Sequence, residues 1–320
     1  MQAVKTPATA HARLPLGKKI KRDLLTQVRL AGKHRVHYLF MAPYALIFIV
    51  FTILPVVVSI YYSFTYFNIF QPPRFIGLSN YIKLFFNDDI FITGIKNTLL
   101  FAAITGPISY ILCLLFAWII NELPRRQRIV MTLLLYAPSI SGGMYMIWGV
   151  MFSGDSQGYI NGFLLNMGLI ENPIVFLKNP AYMNTIIIIV VLWQSLGTSF
   201  LSFIAGLQGI DSQYYEAAAL DGIKNRWQEL WFVTLPMMKP QMMFGAVMSI
   251  TASFGIGDVV TNLVGFPSVD YTSHTIINHL QDYGTIRYEM GYACAIATFL
   301  FLMMLLCNKA IQKLLSRVGV

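Results

Sequence analysis

Charge and cysteine are both scarce in this chain of 320 residues. Charged residues make up 12% of it and hydrophobic residues 56%, whereas a soluble domain carries about 25% charge. This composition argues against a water-soluble enzyme and excludes a disordered or collagen-like chain. The three cysteines lie in apolar stretches without C-x-x-C spacing, which argues against disulfides and against a zinc site.

Six long runs contain no Asp, Glu, Lys or Arg, and each is long enough to cross a bilayer as a helix. They cover residues 36–73, 97–121, 129–154, 179–210, 240–257 and 290–308. The sequence therefore predicts an all-α polytopic membrane protein with six transmembrane helices, at 40–66, 97–121, 129–152, 184–207, 240–261 and 290–311. The first three contain proline, so kinks are expected there. The predicted domains are a basic N-terminal tail, 1–35, and a six-helix domain, 36–320.

Lysine and arginine are unevenly divided between the alternate connections of these six helices. Eighteen of the 23 lie in the termini and in the connections on the same side, and only five lie on the other side. The positive-inside rule then predicts a multi-pass protein of a prokaryotic cytoplasmic membrane, with both termini in the cytoplasm. The basic tail is expected to face anionic lipids rather than nucleic acid. The first apolar run begins late and is long, so it is expected to be an uncleaved anchor.

The connection between the fourth and fifth helices, residues 208–239, is unusually long and helical in character. Ser212–Gly222 begins with a capping residue, continues as an alanine-rich helix and ends in a glycine, which indicates a short helix with a sharp stop. A second helix follows from Arg226 to Pro236. Composition alone leaves two interpretations open: an element that inserts into a partner's groove, or a helical hairpin lying on the membrane surface.

This connection contains Glu216-Ala217-Ala218, then three residues, Gly222, ten residues and Val233-Thr234-Leu235-Pro236. It resembles the EAA loop of ATP-binding-cassette importer permeases, although that pattern has nine residues after the glycine and Ile in place of Val233. Further matches to the carbohydrate-uptake branch, typified by the maltose and glycerol-phosphate permeases, are Asn97-Thr98-Leu99 at the start of the second helix, Ala137-Pro138, Trp148, Phe152, Gly158, Asn161, Trp193, Gly197, Ala205-Gly206-Leu207-Gln208 and Arg226-Trp227-Gln228.

The resemblance implies a binding-protein-dependent transporter permease of the MetI-like fold, in which residues 208–239 form a coupling loop that docks on an ATPase. The residues implied in coupling are Glu216, Ala217, Ala218, Asp221, Gly222, Leu235 and Pro236. Implied partners are two cytoplasmic ATPase subunits, a second homologous permease, as a heterodimer, and an extracytoplasmic solute-binding protein. The chain lacks G-x-x-x-x-G-K-[ST], so ATP is expected on the partner ATPases, with no cofactor, metal or catalytic residue in this chain.

The substrate path is less clearly marked in the sequence. Aromatic and hydrogen-bonding side chains suit sugar recognition, and polar groups within spans are functional candidates, which selects Tyr145, Trp148, Trp193, Gln194, Ser249, Ser253 and Asp258. Gly245, Ser249, Ser253 and Gly257 also form a small-residue stripe, for which close helix packing and pore lining both stay open. Asp258 is equally consistent with an interfacial residue in water. His274 and His279, near Asp270 and Asp282, are expected in a solvated or partner-facing loop.

The function predicted is therefore the permease subunit of an ATP-driven importer for a sugar or oligosaccharide. A permease of the same fold with a non-sugar solute is the nearest alternative. A secondary transporter or channel is a second alternative, although five of the six predicted spans contain no charged side chain. An intramembrane enzyme would need a nucleophile with its base or a metal cluster within the spans, and none is present.

Overall fold

The computed structural model describes residues 35–315. The chain divides into two compact units, Met1–Val58 and Ser59–Val320, which are described separately below. The predicted basic tail, residues 1–35, lies outside the described residues except for Arg35.

The first unit consists, in its described part, of an apolar helix that continues beyond the unit's last residue, Val58. Helix α1, Arg35–Phe48, continues through a π-helical turn at Ile49–Ile53 into α2, Leu54–Tyr62. The wider turn ends immediately before Leu54-Pro55. Proline lacks an amide hydrogen and its ring crowds the carbonyl four residues earlier, so a wider turn at this point gives the ring room. A π turn thus stands beside Pro55 in the predicted first span.

A small β-hairpin and a series of helices build the second unit. Strands β1, Thr65–Tyr66, and β2, Arg74–Phe75, pair antiparallel. The helices that follow are α3 Ser79–Phe86, α4 Asp89–Asn121, α5 Arg125–Ile140, α6 Tyr145–Met151, α7 Tyr159–Asn166, α8 Pro180–Gln194, α9 Thr198–Gln208, α10 Ser212–Leu220, α11 Arg226–Glu229, α12 Leu235–Met237, α13 Lys239–Phe254, α14 Gly257–Val264, α15 Ile276–Gln281 and α16 Met290–Leu315. Short 3-10 turns at Phe176–Lys178 and Val269–Tyr271 and π turns at Leu230–Thr234 and Asp282–Ile286 join some of them.

Four described helices are long and apolar enough to cross a membrane, and the total rises to as many as six if each of two bent pairs is counted as one span. The continuous spans are Leu39–Tyr62, Asp89–Asn121, Pro180–Gln208 and Met290–Leu314. The pair α13 and α14 bends by 41°, and the pair α5 and α6 bends by 85°. The prediction of a continuous third span, 129–152, is therefore wrong in shape. Pro138 weakens the end of α5, and the Gly142-Gly143 pair that follows has little preference for a helix.

The second span also begins earlier than predicted. Helix α4 starts at Asp89, where the Asp88 side chain accepts a hydrogen bond from the Phe91 amide at 2.9 Å. Asn97 therefore lies two turns inside the helix rather than at its start. Its amide donates to the carbonyls of Thr272 and His274, both at 2.9 Å, so this residue holds the 271–274 segment against α4.

Helix α4 is the centre of the second unit. It contributes a fully buried side chain to each of three apolar clusters: Phe91 packs with α15 and α16, Phe101 with α8 and α14, and Cys113 with α9. A continuous helix through all three clusters gives the unit one common axis.

The small-residue stripe of α13 faces neighbouring helices. A side-chain carbon at Gly245 would collide with the Phe203 ring of α9. On the same side, Ser199 of α9 donates to the Gly245 carbonyl at 3.1 Å and lies 3.2 Å from the Ser249 hydroxyl. Close packing is therefore one role of the stripe, as the spacing of small residues indicated.

Candidate functional site

The predicted coupling loop begins with a well-defined helix, α10. Asp211 caps it by accepting from the Gln213 amide at 3.0 Å. At the other end Gly222 has a φ of +93°, and the amides of Gly222 and Ile223 donate to Ala219 and Ala218. This arrangement is the Schellman motif, which requires a left-handed residue after the last helical turn. The glycine stop predicted from the sequence is present.

One face of α10 is exposed. Glu216 and Ala217 are exposed, while Ala218 is buried against the rest of the loop. Leu220 is 90% exposed, which is a costly position for a leucine in water. Sequence reasoning missed Leu220, although an apolar residue just before Asp221-Gly222 was the available signal. Together these side chains form a small apolar surface with one negative charge.

The second half of the loop packs back onto α10 and α4. Tyr215 and Thr234 hydroxyls lie 3.1 Å apart, and the Trp227 ring contacts Trp118 of α4 with ring centroids 5.0 Å apart. Trp227 and Trp231 are nevertheless similarly exposed, at 66% and 67%. The ring contact with Trp118 is therefore made at the edge of the loop rather than in its interior.

The π turn of the loop, Leu230–Thr234, stands immediately before Leu235-Pro236, just as the turn in the first unit stands before Leu54-Pro55. The common feature of the two places is the Leu-Pro pair. In both places the wider turn gives the proline ring room. Asn225 caps α11 by accepting a hydrogen bond from the Gln228 amide at 2.9 Å. A capped helical turn therefore lies within the ten residues between Gly222 and Val233.

A second feature is a cavity of about 420 Å³ between α4, α5, α8, α9 and α13. The described side chains that line it include no charged group. Its polar lining residues are Thr105, Ser109, Ser139, Gln194, Ser195, Thr198, Ser199, Ser249, Thr251 and Ser253. Of the predicted substrate-path residues, Gln194, Ser249 and Ser253 are among them.

Most of these hydroxyls donate their proton to a backbone carbonyl. Thr105 donates to Phe101 at 2.8 Å, Ser139 to Tyr136 at 2.8 Å and Ser253 to Ile250 at 2.7 Å. Such bonds use the only donor that a hydroxyl has and leave its oxygen lone pairs free. The cavity therefore presents mainly hydrogen-bond acceptors.

The other predicted path residues lie outside the lining of this cavity. Trp148 meets Trp193 edge to face, with centroids 5.4 Å apart, and stacks on Phe152 at 5.9 Å. Tyr145 packs against the same apolar cluster. Asp258 is exposed in the first turn of α14 and accepts from Gln281 at 3.0 Å, which fits the interfacial interpretation.

The expectation of a solvated histidine loop is wrong. His274 and His279 are each 2% exposed. His279 Nε2 lies 3.0 Å from Asp88 Oδ2, and His274 Nε2 lies 3.2 Å from His279 Nδ1. The Tyr292 hydroxyl donates to the same carboxylate at 2.7 Å. We call Asp88, His274, His279 and Tyr292 the polar lock, which spacing alone could not reveal because Asp88 lies far away in the sequence.

Burial alone would raise the pKa of Asp88, but the hydrogen bonds from His279, the Phe91 amide and Tyr292 outweigh it and lower that pKa to about 2. Burial, with the nearby charge of His279, lowers the pKa of His274 to about 4. An ionised Asp88 can only accept, so His279 donates to it from Nε2. Among residues 35–315, no group of three or more His, Cys, Asp or Glu is arranged to hold a metal.

Comparison with known proteins decides the family. Residues 123–317 match the family described as "Binding-protein-dependent transport system inner membrane component". The chain belongs to this family. It is therefore a transport component of an inner membrane rather than an enzyme, and it works with a binding protein.

Two curated relatives and one solved structure extend this result. The chain is 32% identical to "Probable ABC transporter permease protein YesP" of Bacillus subtilis (strain 168), covering 81% of this chain and 84% of the relative. It is 31% identical to "Lactose transport system permease protein LacF" of Rhizobium radiobacter, covering 70% and 74%. Its fold matches a chain of a bacterial ABC transporter involved in the import of the acidic polysaccharide alginate, with a TM-score of 0.74, 24% identity and coverage of 92% and 100%.

Proposed function

We propose that this permease carries an uncharged sugar or oligosaccharide across the inner membrane in an ATP-driven importer. The complex would contain this chain, a second homologous permease, two ATPase subunits that bind the ATP, and an extracytoplasmic solute-binding protein. Both termini and the coupling loop would face the cytoplasm. The relative LacF, named for lactose transport, supports a sugar as cargo.

The observation that carries the proposal is the acceptor-rich cavity. A sugar presents many hydroxyl donors, and each pairs well with a free serine or threonine oxygen. A carboxylate or phosphate has only acceptor oxygens and would find no cation among the described lining residues. Burying an unpaired charge is far costlier than burying a paired hydroxyl. The cavity therefore favours neutral cargo over anionic cargo.

The coupling loop supports ATP dependence. The exposed face of α10 offers Glu216, Ala217 and Leu220 to a partner, and small alanines permit close approach of a groove. The direction in which this face points would be fixed by two turns. Asp221 and Gly222 form the turn at the end of α10, and Leu235 and Pro236 lie at the turn near the end of the loop.

The cargo is tested by uptake of neutral and uronic-acid oligosaccharides in cells that depend on this permease. Thr105→Val removes one cavity oxygen with little change in shape. Losing one hydrogen bond of about 1–1.5 kcal/mol should lower uptake of a neutral sugar by about tenfold. Thr93→Val is the matched control, because Thr93 makes the same bond to its own helix, to Asp89 at 3.0 Å, without lining the cavity. Preferred uptake of the acidic sugars would contradict the proposal.

The coupling surface is tested by purifying the tagged permease in mild detergent and measuring the ATPase subunits that accompany it. Leu220→Asp should abolish this association. Leu169→Asp, at a leucine that is 66% exposed outside the loop, should leave it intact. Equal recovery of the ATPase with both variants would rule out α10 as the docking element.

A further inference from the structure

An exposed ion-pair network joins the coupling loop to the end of α4. The Arg226 guanidinium lies 3.1 Å from Glu122 Oε2 and 2.7 Å from Glu229 Oε2. Beside it, Trp227 contacts Trp118. Glu122 and Trp118 belong to the end of α4, whereas Arg226, Trp227 and Glu229 form α11 within the loop. We call these five residues the clasp.

The clasp joins the coupling loop to α4, a helix that does not adjoin the loop along the chain. The coupling loop continues directly into α9 at one end and α13 at the other, so these two helices must follow any movement of the loop. Helix α4 has no such covalent link. It lines the cavity with Thr105 and Ser109, and it is about 50 Å long by the rise per residue of an α-helix. A contact at its end can therefore displace the cavity wall.

The contacts of α4 with its two neighbours differ in kind: with α9 it shares an apolar cluster that buries Cys113 and Phe203, and with α13 it shares small residues. Where α4 meets α13, a side-chain carbon at Gly106 would lie only 3.4 Å from the Ser253 hydroxyl, so two small residues face each other. Small residues let helices approach closely but offer no charge or large side chain to oppose sliding. Next to the clasp, a cavity of about 470 Å³ lined by Asn121, Arg128 and Gln208, among others, separates loop and helices. The ion pair bridges this space.

We propose that Arg226 is a positioning residue that makes α4 move together with the coupling loop, so that displacement of the loop by the ATPase reshapes the cavity. This inference rests on the proposed function of the loop. Arginine suits the role because its planar guanidinium can bond two carboxylates at once, one on the loop and one on α4. A lysine would be a weaker substitute, since its ammonium is a single point of charge.

The test measures the distance between spin labels at Ile119→Cys on α4 and Gln213→Cys on α10, both exposed, in a background with the native cysteines replaced. The permease is studied in its complex with the ATPase in nanodiscs, with and without ATP and vanadate. With Arg226 present, we expect the same distance in both states. Arg226→Glu should shift or broaden that distance in the vanadate-trapped state, and Arg226→Lys should give a smaller shift.

The double variant Glu122→Arg, Arg226→Glu distinguishes loss of the ion pair from a general effect of charge on the loop. It should restore the single, nucleotide-independent distance, because the two charges again attract. Lys224→Glu is the control: it makes the same charge change in the same loop, at a side chain with no ion pair in the described structure, and should leave the distance unchanged. A restored distance in the exchanged variant, together with an unaffected control, supports the clasp.

Three results would overturn the proposal. An unaltered distance in Arg226→Glu would show that α4 follows the loop without the clasp, and failure of the charge exchange would show that the ion pair is not responsible. In both cases the ATPase would still accompany the permease, so the proposed function would stand. Absence of any ATPase from the complex of the unmutated permease would overturn the proposed function and the clasp together.

Discussion

Helix α4 is anchored by charged side chains at both ends, but the two anchors differ in burial. At its start Asp88 lies within the polar lock, where each partner is buried and the carboxylate receives three hydrogen bonds. At its end Glu122 pairs with Arg226 while 43% and 63% of these side chains remain exposed. The first anchor is built into the interior of the protein, and the second stands in contact with water.

This difference separates a structural contact from an adjustable one. Breaking a buried, hydrogen-bonded charge leaves groups without partners and is strongly destabilising. An exposed ion pair contributes about 0–1 kcal/mol and exchanges readily with water. The start of α4 is therefore expected to stay fixed during transport, while its other end follows the coupling loop through a contact whose loss would cost the fold little.

The largest effect is expected from Asp88→Asn. The amide would turn a donor toward the lock, where His279 and Tyr292 already donate, so we expect a loss of about 3 kcal/mol and a clear fall in thermal midpoint in detergent. Asp89→Ala is the control, since Asp89 is exposed in the first turn of the helix, where the interaction of a carboxylate with the helix dipole is worth about 0.3–1 kcal/mol. Similar losses for the two variants would show that the lock contributes little.

Acidification should weaken the same anchor. Because the folded protein lowers the pKa of His274 from 6.5 to about 4, the unfolded chain binds more protons between these values. Stability is therefore full above pH 6.5 and falls as the pH drops toward 4, by up to about 3 kcal/mol. Asp88 adds its own loss only below pH 3.8, as the pH falls toward 2. Thermal midpoints from pH 7.5 to 4 measure this, and His274→Gln should flatten the curve.

Gly222→Ala tests the coupling loop with an intermediate effect. A side chain at φ +93° costs about 1–2 kcal/mol, and we expect the strained turn to misdirect α10 and reduce ATPase association. Gly168→Ala is well matched, because Gly168 also has positive φ, +68°, and neither glycine has a neighbour within 4 Å of an added carbon. The Gly168→Ala variant should lose a similar amount of stability but should still associate with the ATPase. Loss of association in both variants would point to general destabilisation.

The smallest effect on stability is expected from Glu122→Gln. It removes the charge from the exposed anchor, as Asp88→Asn does from the buried one, yet should cost less than about 1 kcal/mol and vanish at high salt. Denaturation midpoints at two salt concentrations measure this. A loss as large as that of Asp88→Asn would remove the distinction between the two anchors.

The sequence predicts the membrane helices because absence of charge over 18 or more residues is a direct physical requirement of a bilayer core. It predicts the glycine stop of α10 for a similarly local reason, since only a left-handed residue completes the turn. The start of α4 was misplaced because Lys96 interrupts the apolar run, although the helix continues through it to the Asp88 cap. Charge marks the edge of the membrane and not the end of a helix.

Long-range pairings were beyond the reach of the sequence. Asp88 and His279 are separated by 191 residues, and Glu122 and Arg226 by more than a hundred, so no spacing rule connects them. The hydroxyl cavity was found in part, through Gln194, Ser249 and Ser253. The hydroxyls of Thr105, Ser109 and Ser139 were missed because they lie singly on three turns of two helices, and only the fold brings them to one wall.

The 85° bend between α5 and α6 has a consequence for the membrane itself. From Ser141, whose ψ is 108°, through Gly143, the backbone leaves the helical ladder within a stretch that must lie among lipids or protein. Amide and carbonyl groups without partners are not tolerated in hydrocarbon. The bend is therefore tolerated only where protein or water supplies these partners, and Ser139 in the cavity wall places it beside a polar surface of the protein.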